Sequence, residues 1–272
     1  MSNRIIVLKE SEVDIISRIT GDIAMLQVVQ FPSGEIHIET NNSLINREVI
    51  IFHRITGNIN ESLLELLLIA MHCEVAISIE VLIAYLPYSR STDVDNIYKL
   101  LRAVGVKIIS VVEIHAIHNN INNIEVVQPL LTKIDIEITN SLIISPDIGG
   151  ILRATKASQS LMMPLISLEK TRINNLIVHR GIVPTCYQTA LIIDDIIDSG
   201  QTLLSATNYL LSHGYNTIIA LAIHPVLSLN AIEILNKSPI DRIYVTNTII
   251  QYSLPKKFIV IDINDIITEK LI

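Results

Sequence analysis

The run Ala190-Leu191-Ile192-Ile193-Asp194-Asp195-Ile196-Ile197-Asp198-Ser199-Gly200-Gln201-Thr202-Leu203 narrows the possible folds more than any other stretch of the chain. Residues 190–193 are continuously apolar, which predicts a short strand buried on both faces, as in a parallel sheet flanked by helices. Two adjacent acids stand where that strand is expected to end. A turn of small residues follows, and a helical pattern begins near Thr202 and runs to about Leu211. Strand, acidic corner, turn and helix start form the layout that holds a phosphate ester in an open α/β sheet. Loop N–H groups and the positive end of the helix dipole converge there on one concave spot. Gly200 permits a close backbone approach or a positive φ, and the hydroxyls of Ser199 and Thr202 can donate. Asp194 and Asp195 would repel a bare phosphate, yet they can accept from sugar hydroxyls beside it or partner a divalent cation. An ordinary strand-to-helix turn with an Asp cap also accounts for Ser199 and Gly200, but it leaves the paired acids unexplained.

Strand-like, β-branched runs recur at 4–8, 25–30, 49–53, 81–85, 107–113, 142–145, 190–193, 217–224, 242–246 and 258–263, with helical stretches at 61–74, 96–104, 155–161, 203–213 and 229–236. This alternation predicts parallel sheets built from right-handed βαβ units. A chain of 272 residues has room for two of them, with a border expected near 130–135, giving domains 1–132 and 133–272. Half of the residues are hydrophobic and 17% are charged, enough for two cores and unlike a disordered chain. The net charge is −7 with no Lys/Arg cluster, so nothing would track a nucleic-acid backbone. Cys73 and Cys186 offer neither metal spacing nor a disulfide framework and read as reduced thiols of a cytoplasmic protein. The first residues lead straight into a strand-like run, and each long apolar run is broken before it could cross a bilayer, so a soluble protein is expected.

The 190–203 run resembles the ribose 5-phosphate motif shared by 5-phosphoribosyl 1-diphosphate (PRPP) synthetases and type I phosphoribosyltransferases, with Gln201 in place of a residue usually small in the synthetases. Ser145-Pro146-Asp147-Ile148-Gly149-Gly150-Ile151-Leu152-Arg153 matches a second synthetase motif without a gap. Physically, its glycines free two N–H groups to face an anion, and Asp147 can hold a cation. Phe31-Pro32-Ser33-Gly34-Glu35 reads as a hairpin turn and resembles the synthetases' nucleotide loop, with Ser33 for an Asp. Val111-Val112-Glu113-Ile114-His115-Ala116 resembles the Asp-Leu-His-Ala segment whose histidine meets magnesium, with Glu113 for the Asp. Leu86-Pro87-Tyr88 is similar to the next landmark. The Arg- and Gln-rich nucleotide loop that follows it in the family is shortened here, and Arg90 stands in for one cation. Glu169-Lys170-Thr171-Arg172 falls where the family opens a mobile catalytic loop; read on its own it is an exposed charged loop running into Asn174 and Asn175.

The resemblance implies two type I phosphoribosyltransferase-like α/β domains, each a mostly parallel sheet flanked by helices. It implies transfer of the diphosphoryl group of ATP to the C1 hydroxyl of ribose 5-phosphate. Asp198, Ser199, Gly200 and Thr202 would hold the 5-phosphate, with Gln201 in the same turn and its side chain free to face solvent. Asp194 and Asp195 would meet the ribose hydroxyls. His115 and Asp147 would hold Mg2+, Phe31, Glu35 and Arg90 the nucleotide, and Lys170 and Arg172 would stabilise the transition state. A homo-oligomer, dimer or hexamer, is implied as well. His224 is assigned a structural role, and the chain end is expected to close the second sheet with a strand and a helix. Loss of the nucleotide loop keeps open a non-catalytic, synthetase-associated relative. A type I phosphoribosyltransferase ranks lower, because those proteins lack a counterpart of 31–115.

Overall fold

The computed structural model describes residues 3–173 and 176–271; Asn174 and Asn175 lie outside them. The chain divides into two compact units. One takes Met1–Glu125, Thr248–Ile250 and Ile263–Ile272, the other Val126–Asn247 and Gln251–Asp262.

In the first unit β1 (Arg4–Lys9), α1 (Val13–Ile16), β2 (Ile23–Gln30), β3 (Ile36–Glu39), β4 (Glu48–His53), α2 (Ile59–His72), β5 (Ser78–Ile83), α3 (Val94–Ala103), β6 (Val106–Val112) and β7 (Asn122–Ile124) follow in order. The sheet runs β3-β2-β1-β4-β5-β6-β7. Only the β2–β3 pair is antiparallel, because Pro32 and Gly34 turn the chain back on itself at once; the remaining pairs are parallel. Strands so covered need apolar residues on both faces. Val7, Val49, Ile51 and Val81 accordingly meet Leu66 and Ile69 of α2 in one core.

The second unit contains α4 (Val127–Leu131), β8 (Ser141–Ser145), α5 (Ile151–Leu161), β9 (Leu165–Ser167), β10 (Glu169–Ile173), β11 (Leu176–Arg180), β12 (Thr189–Ile197), α6 (Gln201–Ser212), β13 (Thr217–Pro225), α7 (Ala231–Lys237), β14 (Arg242–Thr246) and β15 (Phe258–Ile261). Its parallel sheet runs β15-β14-β13-β12-β8-β9. In both sheets the first strand, β1 or β8, lies between the strands that follow it in the winding, β2 and β4 or β9 and β12. The winding reverses there, and open α/β sheets place ligands in the crevice at the carboxyl ends of those strands.

Three expectations need correction. The strand expected to end at Ile193 runs on to Ile197, because β13 keeps pairing with it through Ile197↔Pro225. On the other edge β8 stops pairing at Ile192, so Asp194 and Asp195 sit within a strand with one side open. The segment expected as a charged loop is a two-stranded antiparallel ribbon, β10–β11, in which β-branched Thr171 and Val178 face each other. The chain end splits its expected task. β15 extends the second sheet, but the last helix, α8 (Asn264–Leu271), returns to the first unit. There Arg54 bonds Asn264 at 2.7 Å and Arg18 bonds Asp265 at 2.9 Å. Among the described residues no helix is long and apolar enough to cross a membrane.

Candidate functional site

The switch point of the second unit is built from two strand ends. Beyond β8, the Ser145 hydroxyl donates to the Asp147 carbonyl at 2.7 Å, and the Gly150 N–H donates to the Asp147 carboxylate at 3.2 Å. A Cβ on Gly150 would stand 3.1 Å from the Ser145 Oγ, and one on Gly149 would stand 3.2 Å from the Asp147 Oδ1, so this cradle admits only glycine without displacement. The Lys170 ammonium, reaching from β10, bonds the other carboxylate oxygen of Asp147. Burial alone would raise the Asp147 carboxyl, but Lys170 and the two glycine amides outweigh it and hold the group below its ordinary value.

From β12, Asp195 is buried and faces the buried Arg153 guanidinium of α5 at 3.6 Å. Burial, then the negative charges of Asp195 and Asp147, push its neighbour Asp194 well above the usual carboxylate range. One acid of the pair therefore favours its proton, while the other is compensated by an arginine. After the strand, Asp198 accepts from the Ser228 hydroxyl at 2.5 Å. Gly200 takes φ 76° as the residue before α6, and a Cβ there would meet Leu235 at 2.9 Å. Gly200, the residue before α6, has no side chain with which to cap it, and the first N–H groups of an α-helix have no intrahelical partner. Thr202 is half-buried there and Gln201 is exposed.

The ribbon sets Lys170 opposite His179 and Arg172 opposite Ile177, with Arg172 exposed. His179 is buried, with Nδ1 3.0 Å from the Ser205 Oγ of α6. Ser205 donates its only proton to the Ile177 carbonyl at 2.8 Å, so Nδ1 must be the donor to Ser205. The remaining nitrogen, Nε2, is buried and has no well-formed hydrogen bond among the described residues. Burial, the largest cause, and the Lys170 charge keep the ring's pKa below its ordinary value.

The residues singled out in the first unit stand on three different segments. Phe31 and Glu35 close the β2–β3 turn: the Phe31 N–H donates to the Glu35 carbonyl at 2.8 Å, the Ser33 hydroxyl holds the Glu35 carboxylate at 2.8 Å, and the Phe31 ring is exposed. Arg90 lines a recess of about 540 Å3 with Asn58, Asn60, Tyr85, Pro87 and Tyr88. The Tyr88 hydroxyl donates to Asn60 at 2.5 Å from a left-handed backbone at φ 64°. His115 is half-buried just beyond β6. The Glu113 N–H before it donates to Ile124 at 2.9 Å and the Ile114 N–H to Asn123 at 2.8 Å, so the corner is anchored to β7. His224, expected to be structural, is buried at the end of β13.

Sequence reasoning named Asp147, Lys170 and the pair Asp194–Asp195 in three separate motifs, and the fold brings them together. It missed Ser228, His179, Ser205 and Tyr209; the last two are hydroxyl-bearing residues four apart on a helix with several other polar residues, so nothing local singles them out. Among the described residues no three His, Cys, Asp or Glu side chains are arranged to enclose a metal ion. Asp147 is a single carboxylate already carrying the Lys170 ammonium, near enough to the paired acids of β12 for its charge to act on Asp194. Such a donor set fits an ion that brings its remaining ligands as water and substrate phosphate, which is magnesium's habit.

Comparison with known proteins agrees with this layout. A family model described as the N-terminal domain of ribose phosphate pyrophosphokinase matches residues 8–109, and one described as a phosphoribosyl synthetase-associated domain matches residues 140–272. The ribose-phosphate pyrophosphokinase of Halalkalibacterium halodurans is 30% identical, covering 87% of this chain and 81% of the relative. That of Thermosipho africanus is 28% identical over 100% of this chain and 91% of the relative. The crystal structure of phosphoribosylpyrophosphate synthetase from Mycobacterium smegmatis, 22% identical, matches with a TM-score of 0.87 over 98% of this chain and 97% of that one. The expected fold is thereby met: mostly parallel sheets flanked by helices, of the type I phosphoribosyltransferase-like kind.

Proposed function

The chain belongs to the ribose-phosphate pyrophosphokinase family, and from that premise we propose how its own residues transfer the diphosphoryl group of ATP to ribose 5-phosphate, giving PRPP and AMP. A bond forms between the C1 oxygen and the β-phosphorus, the bond from that phosphorus to the oxygen of AMP breaks with its electron pair going to AMP, and the hydroxyl proton passes to solvent water. Such a transfer asks little covalent chemistry of a protein; it asks for alignment and for positive charge at the transferring oxygens.

The observation that carries the reading is the Lys170 ammonium against Asp147, at the strand ends that also carry the paired aspartates and, after Gly200, the start of α6. The 5-phosphate is assigned to the turn of Asp198, Ser199, Gly200, Gln201 and Thr202, where N–H groups and hydroxyls donate to it. Asp195, compensated by Arg153, accepts from a ribose hydroxyl, and Asp194 in its protonated form donates to one. Lys170 and Arg172 place positive charge on the transferring group. Asp147 and His115 are the proposed contacts for Mg2+, which when bound neutralises and aligns nucleotide phosphates. Phe31, Glu35 and Arg90 are assigned to the nucleotide. The two unpaired thiols fit a reducing compartment such as the cytoplasm. A homo-oligomer, dimer or hexamer, is checked by mass in solution.

An assay of AMP formation from ATP, magnesium and ribose 5-phosphate tests the reading. Steady AMP production, strongly reduced in Lys170→Ala, is the expected result. Ribose 5-phosphate binding without AMP would instead mark a non-catalytic relative, and base-dependent release of pyrophosphate from PRPP a phosphoribosyltransferase.

A further inference from the structure

Ser205 and Tyr209 lie one turn apart on the same side of α6. Ser205 donates to the Ile177 carbonyl at 2.8 Å and accepts from the His179 Nδ1 at 3.0 Å. Tyr209 donates to the Gly181 carbonyl at 2.5 Å. Three hydrogen bonds thus lace α6 to β11 and the residue that follows it. The laced residues are the cross-strand partners of the cations: His179 stands opposite Lys170, and Ile177 opposite Arg172. The same helix begins directly after Gly200, in the turn assigned to the phosphate.

We infer that Ser205, Tyr209 and His179 form a clamp that holds the cationic ribbon at a set distance from the phosphate turn. The inference rests on the roles proposed above for Lys170 and Arg172. A two-stranded ribbon alone is marginally stable in water, and Lys and Arg side chains have many rotamers to lose. Without an anchor, the two positive charges would sample a wide region. The clamp makes a rigid helix their common frame: its first turn meets the sugar phosphate, and its second and third turns hold the strand that registers Lys170 and Arg172. The buried His179 ring supports the same reading, since its Nδ1 is held by Ser205 of that helix. These three are positioning residues, and none is assigned a contact with substrate.

The test uses the full-length protein with Ser205→Ala, Tyr209→Phe, the double variant and Ser205→Thr. Turnover, KM for both substrates, ribose 5-phosphate affinity by calorimetry and Tm are measured for each. A misplacement of about 1 Å costs on the order of 100-fold in rate. The double variant is therefore expected to lose at least about tenfold in kcat, with ribose 5-phosphate affinity and Tm close to those of the unaltered protein. Ser205→Thr, which keeps the hydroxyl, should restore most of the loss. Unchanged kcat in the double variant, or a fall in kcat matched by equal losses of affinity and Tm, overturns the clamp. If the double variant does not fold, Tyr209→Phe alone is judged by the same split between kcat and affinity. Lys170→Ala separates the two readings. If it too retains full turnover, the catalytic assignment has failed. If it is inactive while the clamp variants are fully active, only the clamp has.

Discussion

The crevice between the carboxyl ends of β1 and β4 is filled by the first unit's own charges, whereas the crevice between β8 and β12 presents its charges to a concave turn. In the first unit Lys9 reaches Glu65 at 2.7 Å and the Arg54 carbonyl at 3.3 Å. The Arg54 side chain, 1% exposed, meets Glu12 at 3.3 Å, Asp14 at 2.8 Å and Asn264 at 2.7 Å. The helix after β4 is also closed off, because the Asn58 side chain accepts from the N–H groups of Asn60 and Glu61 at 2.8 and 3.3 Å. In the second unit the corresponding helix after β12 follows a glycine, which has no side chain to cap it, and burial with the charges of Asp195 and Asp147 makes Asp194 favour its proton. One strand order therefore serves two ends. Where the chain supplies its own caps and counter-ions the crevice becomes structure, and where it withholds them the crevice remains able to take a phosphorylated sugar.

The sharpest way to break that contrast is to open the filled crevice. Arg54→Met leaves Glu12 buried without its partner, and loss of one member of a buried pair costs about 3–5 kcal/mol. Calorimetry should show a large fall in Tm, recovered in good part by adding Glu12→Leu. Next comes removal of charge from the second crevice. Lys170→Ala should lower kcat by about 100- to 1000-fold, the usual scale for one donor at developing negative charge, while circular dichroism and Tm change little. Smaller is Asn58→Ala, which uncaps α2 and should cost about 1 kcal/mol in denaturant unfolding. A pH effect on the ligand-free protein is the last test. The Asp194 pKa is raised in the folded state, so the folded form binds its proton more tightly than the unfolded one. The stability this confers is full below the unfolded value near 4 and is lost as pH rises through the folded value. Asp194→Asn should flatten this decline in a series of Tm measurements from pH 5 to 9. An equally steep decline in the variant would place its cause elsewhere.

Much of the site was readable because its parts are contiguous. Residues 190–202 contain strand, acids, turn and helix start within one short segment, and residues 145–153 do the same around Asp147. Where reading failed, a distant partner decided the outcome. Nothing local shows that β12 continues past Ile193, since its last residues are held by β13 alone. Nothing local marks the charged stretch at 169–173 as a strand, because its pairing partner is the following segment, Leu176–Arg180.

The order of elements, the parallel character of the sheets and the position of the phosphate turn are properties of the sequence itself, since each follows from periodicity and turn chemistry over a few neighbouring residues. The pairing of Lys170 with Asp147, of Arg153 with Asp195, of Ser205 with His179 and of Arg54 with Asn264 joins residues from 23 to 210 positions apart. Only tertiary structure decided these. Which polar groups meet depends on how strands order within a sheet and how helices lie on it, and burial then obliges whatever meets there to find a partner.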